Sequence, residues 1–261
     1  MKIKIVYFTF LVPNKWLDIV SEQLNMLKSL DLYKIADIYM SVISQSNNEL
    51  LALKNLIEHD FNKIKLINIY HNNVYEYPGI KTVYELAEND DNTLILYFHS
   101  KGMISNQHIR RKTLFNHTIK NYNIYINEFI NNPKLEVACM VPCLNGFAYY
   151  NFFWTRSSYI YNYCSKPENT KEYMKNDRFT WEMWLGNHYC NKKEKIITYS
   201  PIIKYYGVYN EKDADYTLSK IKDYNYDNFD SNNILFDIII SKQNFETFDN
   251  INNIKLMKFL K

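Results

Sequence analysis

The segment YFHSKG, which ends in Gly102, carries different kinds of reactive group side by side. His99 is a titratable imidazole, Ser100 is a hydroxyl, and Lys101 is a positive charge at neutral pH. Gly102 allows the backbone to turn sharply after the apolar run 93–98. These groups together suit an anionic ligand such as a diphosphate. The alternative is an ordinary turn with a hydrogen-bonded histidine and a solvated lysine.

A basic run, Arg110-Arg111-Lys112, follows this turn, with His108 just before it. The run opens a predicted helix, where cations oppose the helix dipole. A solvated charged face is one interpretation. The other is that one of these cations, with Arg110 as our candidate, reaches over the same anionic group as the turn.

The stretch 145–157 (NGFAYYNFFWTRS) is dense in aromatic residues and is punctuated by polar ones. Asn145, Trp154 and Arg156 are our candidates for contacts with a sugar, because proteins grip sugar rings with aromatic faces below and hydrogen bonds at the edges. The alternative is a strand of the core.

A carboxylate stands among tryptophans in the stretch 177–188 (DRFTWEMWLGNH). An aromatic wall raises the pKa of a carboxyl group, which suits Glu182 to act as a general base with Trp181 and Trp184 beside it. Asp177 is the nearest rival. The structural alternative is that Glu182 pairs with Arg178 on a helix face.

Hydrophobic periodicity predicts the elements that position these groups. The predicted strands are 2–10, 36–44, 63–70 and 93–98, and helices are predicted at 15–30, 47–59 and 80–88. This β-α alternation predicts an α/β fold with a mostly parallel central sheet, flanked by helices through right-handed crossovers. Ligands of such sheets bind at the carboxyl ends of the strands.

The second half is predicted with less regularity. A long amphipathic helix is expected at 107–131, strands at 135–141 and 148–155, and helices at 156–164 and 178–187. The segments IITY and IIKYYGVY resemble strands, and the chain from 210 on reads as a polar tail.

Composition excludes several classes of protein. The 5 glycines lie too far apart for a dinucleotide fingerprint or a P-loop. A net charge of +3 without a nucleic-acid motif argues against nucleic acid as a partner. The 4 cysteines form no CxxC pair, so we expect buried thiols. We expect the N-terminal apolar run to be a strand, no integral membrane segment, and a cytoplasmic protein.

The order of these segments resembles a group of bacterial and large-virus glycosyltransferases of the GT-A type. The matching motifs are YEYPG (75–79), YFHSKG (97–102), Asn145-Gly146 followed by FWTRS (153–157), and Arg178 with Glu182 and Trp184. The resemblance covers about residues 2–190. It implies a GT-A-like, Rossmann-like sheet and a nucleotide-diphospho-sugar donor.

The resemblance also implies where the donor would bind. The nucleotide would lie against the first strand, which ends near Thr9, and the loop that contains Glu76 and Tyr77. The diphosphate would meet His99, Ser100 and Lys101. Glu182, with Asp177 as the rival, would take the proton of the acceptor hydroxyl in an inverting transfer.

The chain departs from the family at the metal site. GT-A enzymes usually place Asp-x-Asp after the fourth strand to hold Mn²⁺ or Mg²⁺, and this chain has His99-Ser100-Lys101 there. Metal dependence therefore stays open: Lys101 would offset the leaving-group charge, or His99 with Asp90 or Asp91 would recruit an ion. The one Asp-x-Asp, Asp213-Ala214-Asp215, is interpreted as a chance match in the polar tail.

Three hypotheses about function follow. The first is a hexosyl or deoxyhexosyl transferase of polysaccharide synthesis, acting on a glycan, a lipid-linked or a protein acceptor. The second is a non-catalytic protein of the same fold that binds nucleotide sugars or carbohydrate, and the weakest is a nucleic-acid-binding protein. We expect a transferase domain at 1–205 and a C-terminal extension at 206–261, packed on the same domain.

Overall fold

The computed structural model describes most of the first two thirds of the chain and shorter pieces beyond. The described residues are 1–88, 90, 92–103, 107–143, 146–168, 179–186, 198–200 and 211–221. The strands are β1 (Lys2–Phe10), β2 (Asp37–Ile43), β3 (Ile64–Tyr70), β4 (Thr93–His99), β5 (Val137–Cys139), β6 (Phe153–Arg156) and β7 (Thr198–Tyr199). The helices are α1 (Trp16–Lys28), α2 (Asp31–Ile35), α3 (Asn47–Asp60), α4 (Tyr77–Ala87), α5 (His108–Phe115), α6 (Tyr122–Asn131), α7 (Ser157–Tyr163), α8 (Phe179–Glu182) and α9 (Glu211–Ile221).

Within the described residues, seven strands form one sheet in the order β3-β2-β1-β4-β6-β5-β7. The strands predicted in the first half of the chain are β1, β2, β3 and β4. They lie side by side in the sheet, and each runs parallel to its neighbours among the four. β6 runs antiparallel to both β4 and β5. The predicted α/β class, with a mostly parallel central sheet flanked by helices, is confirmed.

The two central strands β1 and β4 each contain a continuous apolar run, 5–8 and 94–98, because both faces of the sheet are covered there. In β1, Ile5 and Tyr7 belong to one hydrophobic cluster, and Val6 and Phe8 belong to the cluster on the opposite face. Alternate side chains of a strand point to opposite faces. An apolar run without alternation therefore places a strand in the middle of the sheet.

Right-handed crossovers decide which face each helix covers. The chain moves outward from β1 to β3 through α1 and α3, and both helices pack on the first face. It then returns through α4 to β4 on the other side of β1, so α4 packs on the second face. The strand order therefore reverses between β1 and β4, and this is where open α/β sheets bind ligands.

Gly79 allows α4 to approach the sheet closely. A β-carbon at this position would lie 2.6 Å from the Tyr97 ring and 2.8 Å from the Phe8 β-carbon. Neither neighbour has room to withdraw, because Tyr97 and Phe8 are themselves buried. Pro78 thus lies in the first turn of α4, and Gly79 lets that turn lie against the sheet.

We predict that Gly79→Ala destabilises the protein by about 1–3 kcal/mol, the usual cost of overpacking. The change in the free energy of unfolding, measured in urea, checks this. In an ordinary exposed helix the same substitution stabilises, since alanine has the higher helix propensity. An increase in stability would show that the close contact does not exist.

The second half departs from the predicted elements. The helix expected at 107–131 is divided by a π-helical turn, Asn116–Lys120, and by the non-helical backbone of Asn121. The strand expected at 148–155 begins only at Phe153, after a 3₁₀ turn over Tyr149–Asn151.

The Asp-x-Asp, which the sequence places in a polar tail, lies in helix α9. The tail reads as polar because α9 buries only a narrow stripe, which includes Ala214 and Leu218 in the cluster of the first sheet face. The domain boundary at 205/206 stays a prediction. Within the described ranges, each helix is too short or too polar to span the hydrocarbon core of a bilayer.

Candidate functional site

A cleft opens at the carboxyl ends of β1 and β4, where the strand order reverses. Its volume is about 240 Å³. The predicted site residues Glu76, His99, Ser100, Lys101 and Glu182 all line it. The rest of the lining is Phe8, Phe10, Asn73, Tyr75, Gly102, Met103 and Gln107. The fold thus brings three separate segments of the chain, at Glu76, at 99–101 and at Glu182, to one site.

The turn after β4 is bonded to the end of β1. The Ser100 N–H donates to the Phe8 carbonyl at 2.9 Å. The hydroxyls of Ser100 and Thr9 are hydrogen-bonded to each other at 2.8 Å, and both residues are buried. Thr9 therefore fixes the turn, and Lys101 is carried at the rim of the cleft.

Glu76 is a buried carboxylate held in one orientation. Its Oε2 accepts hydrogen bonds from the Tyr97 hydroxyl at 3.1 Å and from the Asn151 amide at 2.6 Å. Asn151 also donates to the Trp181 carbonyl at 3.2 Å. Burial, followed by the Glu76 carboxylate, raises the pKa of Tyr97, so this hydroxyl remains a donor at neutral pH. The polar network thus ties α4, β4 and α8 together at the floor of the cleft.

His99 is a neutral imidazole at physiological pH. Burial, with Lys101 as a second cause, lowers its pKa from 6.5 to about 3. Its Nε2 lies 3.0 Å from the Tyr150 carbonyl, so the neutral ring carries its proton there and donates. The Glu76 carboxylate, 3.7 Å away, faces this uncharged ring and does not form an ion pair with it. The positive charge of the cleft is therefore that of Lys101.

The depressed pKa of His99 predicts a pH-dependent stability. The folded protein binds the proton more weakly than the unfolded chain, so stability is complete above pH 6.5 and is lost as the pH falls toward 3. One such group contributes a slope of up to about 1.4 kcal/mol per pH unit. We expect His99→Gln, which keeps a donor for the Tyr150 carbonyl, to reduce this slope. Urea unfolding at several pH values between 3 and 6.5 measures the free energy of unfolding of each protein. Equal pH slopes for wild type and His99→Gln would contradict this prediction.

Lys101 and Arg110 lie on the same aromatic ring. The Lys101 Nζ is 5.0 Å and the Arg110 guanidinium carbon 5.1 Å from the centroid of Tyr150. Arg110 also pairs with Asp215 of α9 at 2.8 Å, and the Tyr150 hydroxyl donates to the same carboxylate. Arg110 lines a neighbouring cavity rather than the cleft itself.

Glu182 ends α8 on the cleft wall. Its carboxylate acts on two other groups of the site, because it adds to the effect of burial in raising the pKa of Tyr97 and opposes burial at His99. Trp181 is buried beside it, with its ring 5.1 Å from that of Tyr77. Of the two tryptophans predicted beside Glu182, Trp181 is thus its buried neighbour in the chain and packs on Tyr77.

Of the five described non-glycine residues with positive φ, three lie at this cleft or next to it. Tyr75, Tyr150 and Asn151 have φ values of 54°, 67° and 53°, in the left-handed region. This region costs a bulky residue energy and is found often at functional sites. All three residues line the cleft or contact groups that line it.

Other predicted residues lie elsewhere. Trp154 is fully buried, and its indole donates to the Thr118 carbonyl at 2.9 Å. Arg156 pairs with Leu94 near the amino end of β4, and its guanidinium donates to carbonyls of the 129–135 segment. Trp184 is fully buried and donates to the Ser165 carbonyl. The structure does not bring these three to the cleft, and Asn145 and Asp177 lie outside the described residues.

The residues at the β4 turn do not fit a divalent cation. The turn presents an imidazole that already donates, a hydroxyl already bonded to Thr9, and a lysine, whereas hard cations take oxygen ligands. Asp90 precedes β4 and His99 ends it, so a strand of about 20 Å separates the two. Among the described residues, no group of three or more His, Cys, Asp or Glu is placed to hold a metal.

Asn151 and Tyr150 support the site but were not among the candidate site residues. Asn151 donates to Glu76, and the Tyr150 ring contacts both Lys101 and Arg110. Both stand in the aromatic stretch 145–157, for which the sequence left a core strand and a sugar-binding segment as alternatives. A polar residue in the middle of such a stretch was the available signal, because an amide is rarely buried without a partner.

Similarity to known proteins is weak. No protein-family model matches the sequence, and no curated protein is significantly similar to it. A cytidylyltransferase from Leptospira borgpetersenii serovar Hardjo-bovis is 14% identical, with a TM-score of 0.41 over 77% of this chain and 76% of that one. A 4-diphosphocytidyl-2C-methyl-D-erythritol synthase is 8% identical, with a TM-score of 0.40 over 84% of this chain and 98% of that one. TarS from S. aureus is 12% identical, with a TM-score of 0.41 over 99% of this chain and 77% of that one. Scores at this level do not assign the chain to a family.

Proposed function

We propose that this protein is a glycosyltransferase that moves a sugar from a nucleotide-diphospho-sugar donor to a hydroxyl acceptor, with inversion at the anomeric carbon. One observation carries the proposal. Lys101, Glu76 and Glu182 line a single cleft at the carboxyl edge of the sheet, where the strand order reverses. A fixed cation and two carboxylates match what this transfer needs: one charge for the diphosphate and one base for the acceptor.

The proposed role of Lys101 is to neutralise the leaving diphosphate. Bond cleavage leaves negative charge on the phosphate oxygens, and a fixed cation at that point stabilises the transition state. A lysine supplies this charge directly at the turn where other GT-A enzymes hold a metal ion. Arg110 contacts the same Tyr150 ring as Lys101, but its charge is paired with Asp215.

The proposed role of Glu182 is that of the general base. In an inverting transfer the acceptor oxygen attacks the anomeric carbon from the face opposite the diphosphate, and a carboxylate takes its proton. Glu182 lies on the wall formed by α8, whereas Lys101 lies on the turn after β4. Trp181, the residue before it, is buried and packs on the Tyr77 ring.

Glu76 is proposed to serve the donor rather than the proton transfer. Two hydrogen bonds already occupy its Oε2 and fix its direction. A carboxylate oriented in this way suits recognition of hydroxyl or N–H groups of the nucleotide. The chain resembles GT-A enzymes in this segment, where the nucleotide would lie.

The proposal extends to the acceptor and the setting. We propose a glycan, lipid-linked or protein acceptor, polysaccharide synthesis as the setting, and the cytoplasm as the compartment that supplies nucleotide sugars. The donor is proposed to be a UDP-, GDP- or dTDP-sugar of the hexose or deoxyhexose class.

A panel of nucleotide sugars tests the proposal. Thermal unfolding identifies the donor that stabilises the protein, and NMR then follows release of the nucleoside diphosphate with time, with and without Mn²⁺. We expect at least one donor to bind and to be turned over. Binding without release under both conditions would support the alternative, a non-catalytic nucleotide-sugar-binding protein. No binding by any donor would refute both.

A further inference from the structure

The backbone of the Lys101 turn is held from several directions. Its Ser100 N–H is bonded to β1 at Phe8, as described above. The His99 carbonyl accepts from the Gln23 amide at 3.3 Å. Gln23 in turn accepts from the Tyr7 hydroxyl at 2.8 Å, so this contact is itself fixed inside the core. Helix α1 therefore reaches the amino side of the turn.

Arg111 holds the other side of the turn. Its Nη1 donates to the Lys101 carbonyl at 3.1 Å. Its Nε and Nη2 donate to Glu22 Oε2 at 3.2 and 2.7 Å. Arg111 is 5% exposed, and arginine is rarely buried to this extent unless its charge is paired. A planar guanidinium has its N–H donors in a fixed geometry. The position of the Arg111 guanidinium therefore determines where the Lys101 carbonyl is held.

Glu22 anchors the arginine. Although burial acts to raise its pKa, the hydrogen bonds and charges of Arg111 and Lys112 outweigh burial and lower it, so it is ionised at neutral pH. Lys112 and His108 also lie within 3.4 Å of its Oε1. Neighbours on α1, Glu22 and Gln23, thus fix both carbonyls that flank Ser100, one through Arg111 and one directly.

We propose that Arg111, anchored on Glu22, is a positioning residue that aims the Lys101 ammonium into the cleft. It acts through the backbone and touches no substrate. The proposal rests on the proposed function for the identity of the ligand, a nucleoside diphosphate sugar. A cation that is already oriented binds a diphosphate more tightly, because binding then orders fewer groups.

The test compares Arg111→Lys, Glu22→Gln and the control Lys112→Ala. Arg111→Lys keeps the charge and removes the fork, and Glu22→Gln keeps an acceptor but removes the anchoring charge. Lys112 touches the same glutamate without contacting the turn. The readouts are amide hydrogen exchange at Ser100 and Lys101, the donor Kd, and the urea midpoint.

We expect Arg111→Lys to increase the exchange rate of these two amides about 10-fold. This increase is counted beyond any increase that a change in global stability produces at all amides. We expect donor affinity to fall about 10-fold, the scale of one lost hydrogen bond to a charged group. Glu22→Gln should act in the same direction with a smaller effect, and Lys112→Ala should match wild type.

A double-mutant cycle shows whether Arg111 acts through Lys101. In the Lys101→Ala background, Arg111→Lys should no longer change the donor Kd, because the group that it aims is gone. An equal loss of affinity in both backgrounds would overturn the proposal.

Hydrogen exchange separates this inference from the proposed function. Unchanged exchange at Ser100 and Lys101 in both Arg111→Lys and Glu22→Gln would overturn the inference even if wild type binds a donor. Faster exchange in a protein that binds no nucleotide sugar would refute the proposed function and would leave Arg111 as the residue that holds the turn.

Discussion

Replacing Glu182 with glutamine should lower the rate of sugar transfer by about 100-fold or more while donor affinity stays nearly unchanged. Glutamine keeps the shape of the side chain and cannot accept a proton, and loss of a general base typically costs 10²–10⁴ in rate. Because the base acts on the acceptor hydroxyl, the effect should fall on kcat rather than on the donor Kd. Single-turnover transfer and donor titration measure the two quantities separately.

Glu58→Gln is the matched control for this result, since Glu58 is an exposed carboxylate on α3. It should transfer sugar at the wild-type rate. Full activity in Glu182→Gln would remove Glu182 from the mechanism. Loss of activity in Asp177→Asn with Glu182→Gln active would move the role to Asp177. A product that keeps the donor's anomeric configuration would contradict the inverting mechanism itself.

Replacing Lys101 with alanine should weaken donor binding by roughly 1–3 kcal/mol, or about 5- to 150-fold in Kd. The variant loses the one charge that the turn offers to the diphosphate. Binding of the nucleoside without phosphates should change little, because Lys101 is proposed to contact only the charged part of the donor. Calorimetric titration with the donor and with the nucleoside distinguishes the two.

Lys54→Ala on the exposed face of α3 is the control for this loss of charge. Its donor affinity should equal that of wild type at the same ionic strength. If Lys101→Ala binds the donor as tightly as wild type, then the diphosphate does not lie at this turn.

The sheet could be predicted from the sequence because its central strands are buried on both faces. The run 93–98 contains no charged residue, which predicts a buried strand. The alternation of such strands with helices predicts that they run parallel to one another. The break of the long helix at Asn116–Lys120 could not be predicted in this way. The same residues fit the helical period with or without the π-helical turn. Helix α9 escaped notice because its buried stripe is too narrow to stand out from polar residues.

The cleft residues that could be predicted from the sequence are those at the end of a strand. His99 ends β4 and Ser100 and Lys101 follow it, so their place on the sheet determines their place in the cleft. Trp154 and Arg156 show the limit of that reasoning, since an aromatic residue that grips a sugar and one that fills a core look alike in sequence. The role of Arg111 was hidden for a different reason: its partners, Glu22 and the Lys101 carbonyl, are brought to it only by the folded chain.

Affinity labelling of Lys101 tests the central claim most directly. A nucleoside diphosphopyridoxal, which carries an aldehyde in place of the sugar, forms an imine with a lysine at the donor site, and borohydride makes the bond permanent. Peptide mapping then locates the label. The site proposed here predicts labelling at Lys101 that the donor sugar nucleotide prevents. Donor-protected labelling at a different lysine, with Lys101 unmodified, would contradict it.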